Sequence, residues 1–305
     1  MKPATPVSEY QPPMRDGVTA SKVYLPKRAD LPKNLFSYLC EHFPHISANE
    51  WQQRFQDQLI IDMQGQALTV DQPYLENTHL YYYRFLPHEI HVPFQEKILF
   101  ENEDLIVVDK PHFLTISPSG QYIQETLLVR LKKTTNNPDL TPIHRLDRET
   151  AGVVLFSKRS QTRGLYQQMF AERQVKKTYQ AIAQFNANLK FPCAVDLRME
   201  KGEPFYTMKV VEGKSNSYTE IDLIEHNPVW AKYLLKPTTG KQHQLRVHLN
   251  WLNIPIKNDP FYPQVLHKDA ADFSQPLQLL AKKIEFFDPI TQAEYCFCSD
   301  YELTL

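Results

Sequence analysis

The sequence predicts an α+β protein whose main domain is built on a mixed, largely antiparallel β-sheet with flanking helices. Two observations support this fold class. Short apolar and β-branched runs typical of strands are numerous, and helical segments separate them at irregular intervals. The regular alternation of strand and helix that indicates a parallel sheet is missing, and no internal repeat occurs. At 305 residues the chain is also long enough for a second, smaller domain.

The smaller domain is predicted near the N-terminus. Residues 1–33 are polar and rich in proline, so we expect an extended or mobile arm there. A first helix is predicted at 35–43 from its apolar spacing, and a second begins after Ser47, where Glu50 completes a capping box. Strand-like pieces follow at 59–63, 66–70 and 79–85. In this prediction residues 34–90 form a small α/β region.

The main domain is expected to extend over residues 94–305. Its predicted strands are apolar or alternating runs and lie at 104–111, 153–156, 177–184, 218–225, 234–237 and 242–249. Its predicted helices carry apolar residues at helical spacing and lie at 125–132 and 161–173. This sequence of elements is the basis for expecting a mixed sheet with helices on its faces.

Composition and charge argue against several classes of function. The net charge is −1, which does not fit a protein that binds nucleic acid through bulk positive charge. The cations are nevertheless clustered, because residues 141–180 contain eight Lys or Arg and only three acids. The four cysteines form no Cys-x-x-Cys pair, so neither a zinc site nor a disulfide framework is expected. A signal peptide and a bilayer-length apolar stretch are also missing, so we predict a cytoplasmic protein without membrane contact.

The most informative local feature is the run of residues 144–152, with the sequence HRLDRETAG. Asp147 stands between two arginines, and the small residues Ala151 and Gly152 predict a turn before an apolar, β-branched strand. A turn beside a strand presents a side chain at a rim while the sheet fixes its backbone. Taken alone, a short Asp-x-x-Thr motif is more often a surface turn capped by the aspartate.

Three further motifs accompany this run. Residues 109–114 (DKPHFL) end a predicted strand in a Lys-Pro turn, and residues 175–179 (VKKTY) place Tyr179 on a predicted strand. Tyrosine offers a flat face that stacks on a base and a phenol that can exchange a proton. The third motif, residues 238–248 (TTGKQHQLRVH), combines cations with two histidines.

These motifs resemble, in the same order, those of the RluA family of pseudouridine synthases, and the resemblance covers residues 105–262. It implies that Asp147 is the catalytic residue and that Arg246 is the basic partner that pairs with it. It also implies that Tyr179 stacks on the uracil or takes part in proton removal. It leaves open whether Asp147 attacks the sugar, attacks the base or assists proton removal from C2′.

The resemblance further implies an RNA pseudouridine synthase that flips a specific uridine out of structured RNA, ribosomal or transfer, and isomerises it. Neither a cofactor nor a metal is expected, and the enzyme is expected to be a monomer whose partner is RNA. Many members carry an S4-like RNA-binding module near the N-terminus, so residues 34–90 are either such a module or a structural cap. The expected substrate-binding residues are Arg145, Leu245, His144, Lys176, Lys177 and Lys241.

Two other functions stay open from the residues alone. The chain could keep the fold and bind RNA without catalysing a reaction. A metal-dependent phosphodiesterase would use as ligands His144, Asp147, His243 and His248. A strand at 242–249 would turn His243 and His248 to opposite faces, which argues against joint ligation of one metal ion.

Overall fold

The computed structural model of the protein describes residues 10–86 and 88–305. The helices are α1 (Leu35–His42), α2 (Ala48–Gln56), α3 (Leu127–Thr135), α4 (Ser160–Ala171) and α5 (Gln244–Trp251). The strands are β1 (Ser21–Leu25), β2 (Ile60–Ile61), β3 (Thr78–Tyr82), β4 (Lys97–Glu101), β5 (Leu105–Lys110), β6 (Thr141–Pro142), β7 (Ala151–Ser157), β8 (Lys176–Gln184), β9 (Cys193–Lys201), β10 (Met208–Val211), β11 (Ser217–His226), β12 (Trp230–Pro237), β13 (Leu279–Phe287) and β14 (Glu294–Cys298). None of the helices in the described part of the chain combines the length and the hydropathy of a membrane-spanning segment.

The chain divides into two compact units. The first comprises the described residues up to Glu89 together with Val129–Pro138. The second comprises Ile90–Leu128 and Asp139–Leu305. Every predicted site residue belongs to the second unit.

The first unit packs two helices on a small antiparallel sheet with the strand order β1-β3-β2. The predicted capping box is confirmed, because Ser47 Oγ accepts the Glu50 amide at 3.2 Å and Glu50 Oε2 accepts the Ser47 amide at 2.9 Å. Trp51 is fully buried in the core of this unit. The strand predicted at 66–70 is wrong, since that segment contributes only one isolated bridge, from Ala67 to Ile61.

The N-terminal arm contributes a strand that the sequence did not predict. Strand β1 lies within residues 1–33 and pairs with β3, and its Val23 and Leu25 are buried. Residues 1–9, which belong to the same predicted arm, lie outside the described residues.

The second unit contains an eleven-stranded sheet, so the prediction of a mixed, largely antiparallel fold is confirmed. Its main path runs β10-β9-β11-β12-β8-β13-β7-β5-β4, with β14 paired to β13 and β6 paired to β7. Within the described residues, the pairing of β7 with β13 is parallel and the other named pairs are antiparallel. The chain therefore returns after residue 278 to insert β13 between β7, which follows the Asp147 loop, and β8, which carries Tyr179.

The predicted small-residue turn after Asp147 is displaced. The turn closes earlier, where the Thr150 amide donates to the Asp147 carbonyl at 3.2 Å, and Ala151 and Gly152 already belong to β7. Gly152 has φ +116°, and a Cβ placed there would lie 2.3 Å from the Ala281 carbonyl oxygen of β13. The glycine is needed because the backbone of a neighbouring strand approaches too closely for any side chain.

Replacing Gly152 with Ala should therefore destabilise the fold strongly. The left-handed φ alone costs roughly 1–3 kcal/mol, and the contact with Ala281 adds to it. The matched control is Gly164→Ala in the exposed part of α4, where nothing lies within 4 Å of the added Cβ, and it should stabilise by up to about 1 kcal/mol. Thermal unfolding of both variants measures the difference; similar melting temperatures would contradict the close approach of β13.

The predicted strand at 242–249 is wrong, because residues Gln244–Trp251 form helix α5. Six consecutive residues of this helix, Gln244 through Leu249, are buried, so the sequence shows no polar face with helical periodicity. The alternation of polar and apolar residues at 242–249 is the pattern from which a strand is predicted. Leu, Gln and Arg are good helix formers. Because the segment is buried, its apolar and polar residues need not follow the helical spacing from which a helix is predicted.

Candidate active site

The predicted site residues meet around one cleft of about 880 Å³ in the second unit. The cleft lies between the loop that carries Asp147, the end of α4, strand β8 and the loop that leads into α5. The predicted residues that line it are His144, Arg145, Asp147, Lys177, Tyr179, Lys241, Leu245 and Arg246. Lys176 does not line it and is exposed at the start of β8.

Asp147 presents its carboxylate to the cleft with one oxygen engaged. Its Oδ2 lies 3.2 Å from Arg246 Nη1 and 3.8 Å from His243 Nε2, and its side chain is 16% exposed. Among the described residues, Oδ1 makes no hydrogen bond, so this oxygen is available to a ligand. The pairing of Asp147 with Arg246 that the motif resemblance implied is present in the structure.

Arg246 is completely buried and is held by a second carboxylate. Its Nε and Nη2 donate to the two carboxylate oxygens of Asp259 at 2.9 and 2.7 Å, which leaves Nη1 for Asp147. Burial opposes the charge of Arg246, but the bonds to Asp259 and the neighbouring carboxylates raise its pKa above the usual value. A planar guanidinium can serve two carboxylates in this way, whereas an ammonium cannot.

Asp259 is a functional neighbour to which the sequence analysis gave no role. Besides Arg246, it accepts the backbone amides of Phe261 and Tyr262 at 2.8 and 3.2 Å. The signal was present in the sequence, because an aspartate with a nearby tyrosine follows the third motif. Its role became clear only when the fold brought it beside the guanidinium.

His243 connects Asp147 to Tyr262. It occupies the N-cap of α5 with φ 53°, a conformation that histidine tolerates better than most residues. Its Nδ1 lies 2.9 Å from the Tyr262 hydroxyl, which also accepts the Met208 amide at 2.8 Å. The hydroxyl proton then has Nδ1 as its acceptor, which leaves the proton of the neutral ring on Nε2, pointing toward Asp147.

The charge of His243 is suppressed near neutral pH. Burial lowers its pKa below the usual 6.5, although Asp147 and other carboxylates nearby oppose that change. The charged groups that face it are Asp147, Arg246, Asp259 and Glu149. His243 is therefore a neutral imidazole at pH 7, with Nε2 3.8 Å from the Asp147 carboxylate, which is longer than a hydrogen bond.

For the RNA enzyme that the motifs predict, replacing Tyr262 with Phe should lower turnover while leaving RNA affinity nearly unchanged. The variant keeps the ring but removes the hydroxyl that fixes His243, so Asp147 loses an oriented neighbour. A lost hydrogen bond of ~0.5–1.5 kcal/mol corresponds to roughly a 2- to 13-fold lower kcat. For the wild type, protonation of His243 should not lower turnover between pH 8 and 6.5, because its lowered pKa postpones that protonation to more acidic pH.

The control is Tyr218→Phe, which lies outside the cleft and whose hydroxyl makes no hydrogen bond to the described residues. Steady-state kinetics on one RNA, measured across pH 5 to 8, compare the three proteins. A raised KM with unchanged kcat in Tyr262→Phe would assign Tyr262 to RNA binding instead.

Tyr179 and Leu245 form an apolar part of the cleft wall. Tyr179 projects from β8, and burial together with Asp147 raises its pKa above the usual 10. Its phenol therefore stays protonated at neutral pH. Leu245 is buried in the first turn of α5. A flat ring and an alkyl side chain suit the two faces of a planar base.

The cationic residues predicted to bind the substrate differ in how accessible their charged groups are. Arg145 and Lys241 are exposed at the cleft. Lys177 is partly buried, and its Nζ donates to the Thr239 carbonyl at 3.1 Å. Exposed guanidinium and ammonium groups can contact phosphates directly. The ammonium group of Lys177 is already hydrogen-bonded within the protein, so it is less available for such a contact.

The imidazole ring of His144 is engaged in contacts within the protein. Its Nε2 accepts the Leu155 amide at 3.2 Å, and its ring stacks on Phe170 with a centroid distance of 4.7 Å. Burial lowers its pKa to about 3, so the ring is neutral. These contacts position the loop that carries Asp147 and leave little of His144 for a ligand.

Lys110 supports the same loop from the first motif. Its fully buried ammonium group donates to the carbonyls of Pro111, Leu114 and Arg148 at 2.9, 2.8 and 3.1 Å. Burial lowers the pKa of Lys110 to about 7, against the attraction of Glu149 and Asp147. The Lys-Pro turn therefore ends strand β5. It also holds the backbone of Arg148, the residue that follows Asp147, in place.

The two histidines considered as metal ligands have separate protein partners. His243 bonds to Tyr262, and His248 Nε2 lies 2.9 Å from Ser217 Oγ. The argument from opposite faces of a strand does not hold, because His243 caps α5 and His248 lies within it. In residues 10–86 and 88–305 no three His, Cys, Asp or Glu side chains are grouped as metal ligands would be.

Comparison with known proteins identifies the family. The sequence model of the RNA pseudouridylate synthase family matches residues 104–251. A Helicobacter pylori protein named as an uncharacterized RNA pseudouridine synthase is 31% identical over 206 residues, which cover 63% of this chain and 69% of that protein. The chain belongs to the RNA pseudouridine synthase family. The prediction from the motifs is confirmed, and the members of this family are isomerases that act on RNA.

Two further relatives show how far the similarity extends. Human pseudouridylate synthase RPUSD2 is 32% identical over 184 residues, which cover 55% of this chain but only 31% of the human protein. The structure of human RNA pseudouridylate synthase domain containing 1 superposes with a TM-score of 0.55 at 24% identity, and covers 70% of this chain and 86% of that one. The second comparison shows a shared fold.

Proposed function

We propose that this protein is an RNA pseudouridine synthase that isomerises a specific uridine of structured RNA, with Asp147 as the catalytic residue. The observation that carries the proposal is the Asp147 carboxylate, bonded through Oδ2 to a buried guanidinium and open through Oδ1 to the cleft. Family membership supplies the reaction class, and the geometry supports the assignment of residues.

The reaction moves the base without net oxidation or hydrolysis. The bond from uracil N1 to ribose C1′ breaks, the base turns, a bond from C5 to C1′ forms, the C5 proton leaves to solvent, and N1 takes up a proton in its place. An ionised carboxylate can act on the electron-poor sugar or base while these bonds change. Arg246 fixes Asp147 through a charge-assisted bond in a closed site.

The walls of the cleft keep the detached base in place. Tyr179 would stack on the uracil from one side, and Leu245 would contact it from the other. Because the phenol of Tyr179 stays protonated, it is suited to donate a hydrogen bond or to pass on a proton. The uridine must leave its stack to reach Asp147, and the exposed Arg145 at the cleft can occupy the vacated position in the RNA.

Tritium release tests the proposal directly. RNA labelled at uridine C5 loses tritium when pseudouridine forms, and we expect release by the purified protein to be the same with and without chelator. A metal-dependent phosphodiesterase would cut the RNA and lose that activity with chelator. A binding protein without catalysis would do neither. Either of these results would reject the proposal.

The substrate of this protein is proposed to be ribosomal or transfer RNA, acted on by a monomer in the cytoplasm. The four cysteines are unpaired, which is consistent with a reducing compartment. Pseudouridine mapping in cells that lack the protein would identify the RNA. Sedimentation of the purified chain would measure its oligomeric state.

The first unit is proposed to serve as structural support rather than as an S4-like RNA-binding module. Arg54 is the one Lys or Arg in helices α1 and α2, and it is buried with its guanidinium 4.8 Å from the Trp51 ring. These helices therefore present no exposed lysine or arginine to a phosphate backbone.

RNA affinity should accordingly depend on salt through the cleft cations. Replacing Arg145 and Lys241 together with Gln should weaken binding and flatten the plot of log K against log salt by roughly 0.7 per lost phosphate contact. The matched control replaces Lys27 and Lys33, two exposed lysines of the N-terminal arm, and should leave the slope unchanged. A slope that depends on the arm lysines and not on the cleft cations would place the RNA on the first unit.

A further inference from the structure

An aromatic side chain is held in solvent on the turn that joins β9 and β10. Phe205 is 79% exposed, more than any other large apolar residue in the described part of the chain. Single exposed apolar residues are common, but a phenyl ring this exposed beside a substrate cleft invites a functional explanation.

Three hydrogen bonds close the turn around Phe205. The Gly202 amide donates to the Thr207 carbonyl at 2.9 Å, and the Thr207 amide donates to the Pro204 carbonyl at 2.8 Å. The Thr207 hydroxyl also donates to the Pro204 carbonyl at 2.8 Å. These bonds fix the backbone on both sides of Phe205, so its ring is presented to solvent by an ordered loop, which lowers the entropy lost on binding.

The same turn is attached to the catalytic cleft. Gln242, which lines the cleft, donates through Nε2 to the Tyr206 carbonyl at 3.1 Å. The rings then form a continuous row: Phe205 lies 5.5 Å from Tyr206, Tyr206 lies 5.3 Å from Phe261, and Phe261 lies 5.5 Å from His243. His243 in turn faces Asp147. Phe205 is the solvent end of an aromatic row whose other end is the proposed catalytic centre.

We propose that Phe205 is a stacking platform for an unpaired base of the same RNA that carries the target uridine. The inference rests on the proposed function for the identity of the ligand. RNA from which one nucleotide is flipped offers unstacked neighbouring bases, and aromatic side chains bind such bases without regard to sequence. The platform would bind a flanking nucleotide and thereby hold the RNA strand across the mouth of the cleft.

A protein partner fits the observations less well. The residues beside Phe205 on this hairpin include the exposed, charged Lys201, Glu203 and Lys209, so the apolar surface is small. Stable protein interfaces usually bury about 1,200–2,000 Å² around an apolar centre. One isolated ring suits a single nucleobase.

Binding of a fluorescent ten-nucleotide single-stranded RNA by the full chain tests the platform. Stacking on one aromatic ring is worth ~1–3 kcal/mol, so Phe205→Ala should weaken binding by roughly 5- to 150-fold. Phe205→Trp should bind as tightly as the wild type or more tightly, because it keeps a stacking face. The matched control is Phe287→Ala, since Phe287 is also exposed (63%) but lies at the end of β13 outside the cleft lining.

The fluorescence of a 2-aminopurine base placed in the same RNA distinguishes a loss of stacking from other causes of weaker binding. The wild type and Phe205→Trp should quench its emission, and Phe205→Ala should not. Unchanged affinity of Phe205→Ala would overturn the inference, and a change in its sedimentation without loss of RNA affinity would assign the ring to a protein contact. This test measures binding without turnover, so a protein that releases no tritium can still show the loss of affinity in Phe205→Ala. The proposed synthase activity and the proposed stacking role of Phe205 can therefore fail independently.

Discussion

Replacing Asp147 with Asn is expected to abolish pseudouridine formation while the protein folds normally. The amide keeps the size and shape of the side chain but removes the negative charge that Arg246 holds at the cleft. Loss of a reacting group usually lowers turnover on the order of 10³-fold or more. RNA affinity should stay within a few-fold, since phosphate contacts supply most of it.

Single-turnover tritium release and RNA binding, measured on the same preparation, separate these two effects. Asp222→Asn is a suitable control, because Asp222 is exposed on β11 and lies outside the cleft. The control should keep full turnover. Activity of Asp147→Asn close to that of the wild type would remove the central assignment of the proposed mechanism, whatever its RNA affinity.

Part of this site could be predicted from the sequence because its motifs are contiguous runs. Asp147 and Tyr179 stand in short runs where turn and strand chemistry is visible locally. The partnership of Asp147 with Arg246 joins residues 99 positions apart. It followed from resemblance to a family, because nothing in local periodicity specifies contacts at that distance.

The errors arose where tertiary burial overrides local pattern. Six consecutive residues of helix α5 are buried, so its sequence lacks the amphipathic signature by which helices are recognised. Strand β13 was not predicted, since its place between β7 and β8 depends on pairing with segments about a hundred residues earlier in the chain. Gly152 was assigned to a turn because its real constraint, the carbonyl of Ala281, comes from that unpredicted strand.

The supporting residues of the site were missed for a related reason. Lys110, Asp259 and Tyr262 act through hydrogen bonds to residues that carry the motifs. In the sequence, Lys110 stands in the first motif and Asp259 and Tyr262 follow the third, but nothing there gives any of them a partner in the site. Only the fold shows that Lys110 is fully buried and that Asp259 faces a guanidinium.

The second large effect is expected from Arg246→Ala, which should lower both turnover and stability. Arg246 and Asp259 have no exposed side-chain surface, so removing the guanidinium leaves a buried carboxylate without its partner. Breaking a buried pair in this way costs about 3–5 kcal/mol. Asp147 loses its hydrogen-bonded cation at the same time. Arg246→Lys should recover part of the stability and little of the turnover, because one ammonium cannot make the fork to Asp259 and reach Asp147.

The double variant Arg246→Met with Asp259→Asn separates the two consequences. It removes both buried charges, so its melting temperature should lie well above that of Arg246→Ala, as is found when buried ion pairs are replaced by neutral groups. Its turnover should stay as low as that of Arg246→Ala, because Asp147 still lacks its partner. Recovery of turnover along with stability would mean that Arg246 only maintains the fold. Recovery of stability alone would assign to Arg246 the task of holding Asp147 for reaction.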